Sequence, residues 1–298
     1  MKIIKSASPL RYPGGKTCLT GFIADVAKTN DLIGGTYLEP YAGGAGAGLN
    51  LLINETFSRI HINDFDHHIY LMWDNVLNNP EEFVKKIENT NITIEEWHKQ
   101  KYIFQNKENF SPIEVGFSAF FLNRTNRSGI IYKAGPIGGL QQNGTYKIDC
   151  RFNKIELIKR IELIQKFNNK ITLTNLDAIE LIKRISFFHK NRNEVFTYLD
   201  PPYFNKGKFL YLNNYDYLNH KELSSCIAEN MKEDKWIISY DNTEEIIKMY
   251  PNFRKSTFDL NYTLQSKKYG SELLIFSNTL KLSGSLKVNK RIQDLILF

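Results

Sequence analysis

The chain has 298 residues, 42% of them hydrophobic and 24% charged, with a formal net charge of +7. It is long enough for one large domain plus a smaller inserted one, and no run reaches the roughly eighteen apolar residues of a membrane span. The start MKIIKSASPLRYPGGK has no hydrophobic secretion segment, so an intracellular protein is expected; Cys18, Cys150 and Cys226, isolated and odd in number, argue against a disulfide framework or a cysteine zinc site.

Arg11-Tyr12-Pro13-Gly14-Gly15-Lys16 reads as a tight turn before a helix around Leu19 to Ala27. Lys16 is available there for a carboxylate and Tyr12 for an aromatic contact, although an ordinary turn with a surface lysine has the same pattern. A strand at Thr36–Glu39 then runs through Gly43, Gly44, Gly46 and Gly48 into a helix, so backbone can approach a ligand beneath a helix N-terminus. The next strand, Arg59–Asn63, ends at Asp64, where dinucleotide folds keep a ribose-binding acid. Asp66 is a substitute two residues on, and an acid capping a helix is the alternative use. The glycine turn has no Lys or Arg for a pyrophosphate, so a neutral or cationic adenosine ligand such as S-adenosylmethionine fits it better than a dinucleotide.

Regular alternation of strand and helix stops between about Asp74 and Phe167, where Glu81–Ile87, Glu95–Phe104 and Ile113–Leu122 have helical patterns. A further helix, Lys154–Phe167, places Ile155, Ile158, Ile161 and Ile164 at three-residue steps with Lys159, Arg160 and Lys166 around its other side. Between these helices lies a Gly-rich loop whose Asn143-Gly144 step favours a hairpin turn. Arg124 to Lys170 carries ten Lys or Arg against three acids, an excess equal to the whole net charge. That surface suits a polyphosphate backbone and equally suits solvated helix faces. The interruption predicts an inserted, mainly helical domain at 74–167, with 1–73 and 168–298 forming the main one.

Strands resume at Ile171–Asn175, Val195–Leu199, Trp236–Tyr240, Phe253–Phe258 and Glu272–Ser277. Seven strands with helical crossovers predict a doubly wound α/β sheet, Rossmann-like in plan. Val195–Leu199 delivers Asp200-Pro201-Pro202-Tyr203 to its carboxyl end, where such sheets keep their ligand sites. Asp200 can accept a hydrogen bond from an exocyclic amino group and the Pro201 carbonyl a second; Pro202 rigidifies the turn and Tyr203 offers a ring to stack on a base. A strand ending in a plain Pro-Pro turn, with Tyr203 merely packing, is the alternative. Asn205–Tyr217 reads as a flap over substrate or as a plain loop, and the six histidines, including His67-His68, lack metal-ligand spacing, so no metal is expected.

Taken in order, RYPGGK, LEPYAGGAG, INDFD, FFLNRTNRSG, LTNLDAIELI, YLDPPYF and SELLIFSN resemble the Dam-like DNA adenine N6-methyltransferases of the alpha-ordered group, over nearly the whole chain. The resemblance implies the seven-stranded methyltransferase sheet with an inserted target-recognition domain, S-adenosylmethionine as methyl donor, and a flipped adenine in double-stranded DNA as acceptor. It assigns Asp200, Pro201, Pro202 and Tyr203 to catalysis, and Tyr12, Lys16, Glu39, Pro40, Gly43, Gly44, Gly46, Asp64, Asp177 and Asp200 to the cofactor. Asn123, Arg124, Asn126, Arg127, Ser128, Lys133, Asn143 and Lys147 would position DNA. Tyr12 stands where Dam itself has Trp, and the loop from Lys133 to Cys150 spells no recognition sequence. A monomer or weak dimer in a prokaryotic cytoplasm, or phage-encoded, is implied, with any restriction or defence partner unreadable. An RNA adenine or cytosine-N4 methyltransferase and a silent DNA-binding regulator are the competing functions.

Overall fold

A computed structural model describes residues 7–11, 15–205, 215–264, 266–282 and 296–297. Tyr12 and most of the expected flap, residues 206–214, lie outside the described residues. Strands β1 (Thr36–Glu39), β2 (Arg59–Asn63), β3 (Ile171–Thr174), β4 (Val195–Leu199) and β5 (Lys235–Asp241) are parallel to one another. Antiparallel to β5 comes β7 (Ser266–Phe276), then β6 (Arg254–Leu264) and the two-residue β8 (Ile296–Leu297), giving the order β3-β2-β1-β4-β5-β7-β6-β8. All seven expected strands are present, and β8 adds a short eighth at the edge. The β6/β7 pair is longer than its apolar residues suggest, because backbone pairing continues out to Leu264 opposite Ser266.

The chain leaves β1 for β2 and β3 on one side, then returns to place β4 and β5 on the other. The loops after β1 and β4 therefore diverge and open a crevice at the carboxyl edge of the sheet. Both strands are buried on both faces, as parallel strands between two helical layers must be. On one face α1 (Thr20–Thr29), α2 (Gly46–Ile53) and α3 (His67–Asn78) pack Leu51, Met72 and Trp73 with Ile60, Phe196 and Ile237. The helices α4 (Pro80–Asn89), α5 (Ile94–Gln105), α6 (Pro112–Thr125) and α7 (Lys154–Gln165) extend this core. On the other face α8 (Ala178–Lys183), α9 (Ile185–Phe188), α10 (Tyr217–Asn230) and α11 (Glu244–Met249) bring Leu181, Leu223 and Ile227 against Leu199, Trp236 and Ile238. The Trp236 indole N–H donates to the Met231 carbonyl at 3.1 Å. Among the described residues no helix is long and apolar enough to cross a membrane.

The carboxyl ends of β1, β2 and β3 are stitched by one buried side chain. Asn63 donates from Nδ2 to the carbonyls of Pro40 and Leu176, both at 2.9 Å, and its Oδ1 accepts from Leu176 N and Thr174 Oγ1. Within the helical block, α6 is buried from Val115 to Thr125, with Phe117, Phe120 and Phe121 against Phe83 and Phe152. The boundary expected after residue 73 falls inside α3, whose residues pack toward both the sheet and α6.

Two sequence expectations are corrected here. The core face of α7 is Leu157, Ile161 and Ile164, whereas Ile155 is 66% exposed and Ile158 half-buried. Three-residue steps drift around a helix of 3.6 residues per turn, and the spacing i, i+4, i+7 keeps one face. Nor does Asn143-Gly144 turn a hairpin: residues 138–147 form no strand, and the loop folds around the amide of Gln142. That amide donates to the Ile137 and Gly139 carbonyls and accepts from Ile148 N. Ile161→Ala is expected to cost about 2–5 kcal/mol in urea unfolding, and Ile155→Ala no more than about 0.5 kcal/mol.

Candidate active site

A cavity of about 590 Å³ occupies the crevice between the loops after β1 and β4. Lys16, Glu39, Pro40, Gly43, Gly44, Gly46, Asp64, Asp177, Asp200 and Pro202 line it together, although they come from five separate stretches of chain. The turn after β1 is made by left-handed backbone at Gly43 (φ 46°) and Ala45 (φ 46°). A Cβ on Gly46 would lie 2.5 Å from Thr17 Oγ1, so glycine there lets the start of α2 pack against the segment following Lys16. Gly43 N donates to Asp64 Oδ2 at 2.7 Å, and the Trp73 indole N–H donates to the Gly43 carbonyl at 2.8 Å, which fixes the turn from both sides.

Asp64 also accepts from Asp66 N at 2.9 Å. Burial and the neighbouring charge of Asp66 push its carboxyl up to about 7, against the pull of those two backbone N–H groups. Asp66 caps α3 through His68 N and accepts from the Tyr132 hydroxyl at 2.5 Å. Tyr132, with Ile130 and Ile131, forms a cavity wall that sequence reasoning did not supply. Glu39 is buried beneath α2, and burial together with Asp200 holds its carboxyl well above the usual range. Among the described residues its Oε2 has no hydrogen-bond partner. Asp177 caps α8, accepting from Ile179 N at 2.8 Å.

At the end of β4 the Lys16 ammonium reaches both oxygens of Asp200, at 2.9 and 3.1 Å, and the hydroxyl of Tyr203 at 3.1 Å. Glu272 Oε2 lies 3.6 Å from the same nitrogen, and the Tyr203 hydroxyl donates to Glu272 Oε1 at 2.5 Å. Ser239 Oγ donates to Asp200 Oδ1 at 2.7 Å and accepts from the Tyr198 hydroxyl at 2.8 Å. Asp241 accepts from the backbone of Phe204 and Asn205 at 2.7 and 2.9 Å. Tyr203 is 6% exposed, with its hydroxyl held between Lys16 and Glu272. Pro201 is also buried. Ser239, Asp241 and Glu272 were not singled out from the sequence. The available signal was polar residues at alternate positions ending WIISYD, and an acid opening ELLIF.

The residues expected to position DNA divide into two groups. Asn123 is fully buried and clamps Arg11 through its backbone N and O, both at 2.8 Å. Arg124 is 9% exposed and donates to the carbonyls of Arg151 and Pro9. Asn126 accepts from the Trp97 indole N–H at 2.7 Å and donates to the Ile130 and Ile131 carbonyls. These three hold the segment together and offer no free surface. Arg127, Lys133, Asn143 and Lys147 are exposed, and Ser128 is half-buried with φ 58°. Lys147 donates to the Gln142 carbonyl.

A family model described as D12 class N6 adenine-specific DNA methyltransferase matches residues 12–264. No curated protein matches the chain. A protein of known structure from Legionella pneumophila str. Philadelphia 1 is similar over 91% of this chain and 86% of its own, at 9% identity and a TM-score of 0.35.

Because the folded-state value of Asp64, about 7, lies above its ordinary 3.8, the folded state holds this proton more tightly than the unfolded chain. The resulting stability is present in full below about pH 4 and is lost as pH rises to 7. Asp64→Asn is therefore expected to raise Tm by about 2–4 °C at pH 8 and to leave it nearly unchanged at pH 4, read by parallel melts without cofactor.

Proposed function

The chain belongs to the D12 class N6 adenine-specific DNA methyltransferases and so methylates adenine N6 in DNA; from that premise we propose that the cavity holds S-adenosylmethionine beside an adenine flipped out of a duplex. Membership selects this activity over the RNA, cytosine-N4 and silent-regulator alternatives. The cavity volume falls within the range of small-molecule sites. Its donor set also fits the cofactor: Glu39 Oε2, without a partner among the described residues, suits an ammonium, and Asp64, anchored by Gly43, suits ribose hydroxyls. Asp177 at the far wall suits the adenine of the cofactor. Bound there, S-adenosylmethionine supplies a methyl group activated by its sulfonium.

The observation that carries the reading is the lone-pair count on Asp200. Among the described residues Oδ1 receives Lys16 and Ser239, whereas Oδ2 receives Lys16 alone and keeps a lone pair for an amino hydrogen. With the Pro201 carbonyl as second acceptor, the adenine amino group would be held by both hydrogens, which favours a pyramidal nitrogen with its lone pair free to attack. Extrusion of the base from the stack is what gives these groups access to it. Catalysis on this account is positioning and electrostatics. We assign target recognition to the helical block and its loop, roughly 74–167, with α3 shared between block and sheet. Arg127, Lys133, Ser128, Asn143 and Lys147 would meet the duplex, while Asn123, Arg124 and Asn126 support them from within.

Transfer of labelled methyl from S-adenosylmethionine to mixed-sequence duplex DNA, with mass spectrometry and methylation-sensitive sequencing, tests the reading; N6-methyladenine at one recurrent sequence is expected. Asp200→Ala is expected to abolish transfer with much cofactor binding retained, whereas Asp64→Ala weakens cofactor binding first. Loss of cofactor binding in Asp200→Ala with residual turnover at saturation reverses those roles. Arg127→Ala is expected to lower the salt slope of DNA binding by about 1, since one phosphate contact is lost. Arg124→Ala destabilises the fold instead and leaves the slope of the folded fraction unchanged.

A further inference from the structure

We infer that Tyr41 and Tyr215 are positioning residues for methyl transfer: their hydroxyls share a hydrogen bond that ties the cofactor wall of the crevice to the wall that holds the target base. The inference rests on the reading of the cavity given above. Tyr41 follows β1 and Tyr215 precedes α10, so they approach from opposite sides of the crevice between the loops after β1 and β4. Both line the cavity, and their hydroxyl oxygens lie 3.0 Å apart although 174 residues of chain separate them. The rings meet edge to face, with centroids 6.1 Å apart and an interplanar angle of 76°.

Each tyrosine sits on anchored backbone. Tyr41 lies between Pro40, whose carbonyl accepts from Asn63 Nδ2, and Ala42, whose N donates to the Asn63 carbonyl. Tyr215 directly precedes the capping box of α10, where Asp216 N donates to Asn219 Oδ1 and Asn219 N to Asp216 Oδ1. From Tyr215 the contact continues to the base side of the crevice. Its ring meets the buried His220 imidazole at 5.3 Å, and the same imidazole packs against Phe204 at 5.4 Å. His220 is itself fixed, with Nδ1 3.1 Å from the Tyr240 hydroxyl. Phe204 directly follows Tyr203, and its N donates to Asp241. The glycine turn and the turn after β4 are therefore joined through Tyr41, Tyr215, His220 and Phe204. Spacing is what this join controls. In-line attack needs the amino nitrogen and the methyl carbon about 3–3.5 Å apart, and a misplacement of about 1 Å is costly in rate. Cofactor and base would sit on loops that diverge from the paired strands β1 and β4, so their separation follows that of the loops. A phenylalanine at either position fills the same space and lacks only the bond. Both hydroxyls keep their protons at neutral pH, because burial pushes Tyr41 well above its ordinary value and Tyr215 up to about 12.

The test uses the full chain as Tyr41→Phe, Tyr215→Phe and the double variant, in two measurements. The first is amide hydrogen exchange of the cofactor-free protein. Tyr215→Phe is expected to speed exchange about 3–10-fold in residues 42–46, and Tyr41→Phe to do the same in residues 215–220, each hydroxyl acting on the opposite wall. The second is single-turnover methyl transfer at saturating S-adenosylmethionine and duplex DNA, with cofactor Kd and Tm on each variant. Each single variant is expected to transfer about 3–10-fold more slowly, the scale of one neutral hydrogen bond, with cofactor Kd within about threefold and Tm within about 4 °C. The double variant should match the singles in both measurements, since the first loss already breaks the shared bond. Additive losses overturn the inference, because the hydroxyls would then act separately. Transfer at the wild-type rate at saturation, or exchange changes confined to the mutated side, also overturns it. A larger fall in Tm alongside the rate loss marks a general structural role and does the same. Absence of N6-methyladenine with wild-type protein would instead defeat the reading of the site itself, on which the exchange measurement does not depend.

Discussion

The contact between the Lys16 ammonium and Asp200 joins parts of the chain 184 residues apart, and the site is assembled around it. Lys16 begins the short helical turn that leads into α1, and Asp200 ends the strand beside β1. Closing them brings the start of α2 against Thr17, which is why Gly46 has no room for a side chain. An ion pair this deeply buried contributes little net stability on its own, since desolvation offsets most of its attraction. What it contributes is uniqueness: few alternative arrangements of the turn after β4 satisfy Lys16, Tyr203 and Glu272 at once. The sheet topology makes this possible, because the reversal between β1 and β4 leaves a crevice into which Lys16 can be directed.

The cavity is strongly acidic for a protein that carries +7 overall. Glu39, Asp64, Asp66, Asp177 and Asp200 all border it, whereas the exposed basic residues Arg127, Lys133 and Lys147 lie on the segments beyond its wall. Separation of the two signs suits the proposed division between a polyanion outside and a sulfonium inside. Within the acidic wall the groups are not equivalent. Glu39 and Asp64 are pushed up by burial and by their neighbours, so the free cavity carries less negative charge than its composition indicates.

Much of the fold could be read from residue order. Apolar runs bounded by turns located all seven strands, most sharply β1, β4 and β5, whose burial on both faces leaves no ambiguity of register with solvent. The cofactor-side residues were legible because each closes a strand or opens a helix, and strand ends converge in a doubly wound sheet. Ser239, Asp241 and Glu272 were not, for a topological reason: their importance depends on β5 lying parallel beside β4 and on β7 lying antiparallel beside β5, which no local pattern states. Tyr132 escaped for a similar reason, since its partner Asp66 is 66 residues away. Asn123, Arg124 and Asn126 show the opposite failure. Polar residues next to glycine at a helix end resemble a ligand-binding loop, yet here their hydrogen bonds are spent on Arg11, Arg151 and Trp97.

The three tryptophans give the molecule a built-in optical readout. Each indole is buried and hydrogen-bonded to a different working part: Trp73 to the Gly43 carbonyl of the glycine turn, Trp97 to Asn126 of the exposed-arginine segment, and Trp236 to the Met231 carbonyl at the far side of the sheet. Indole emission responds to the strength of that bond and to the polarity around the ring. Single-tryptophan variants would thus light the glycine turn and the arginine segment separately, and the order in which the two parts respond could be followed in real time without attaching a dye.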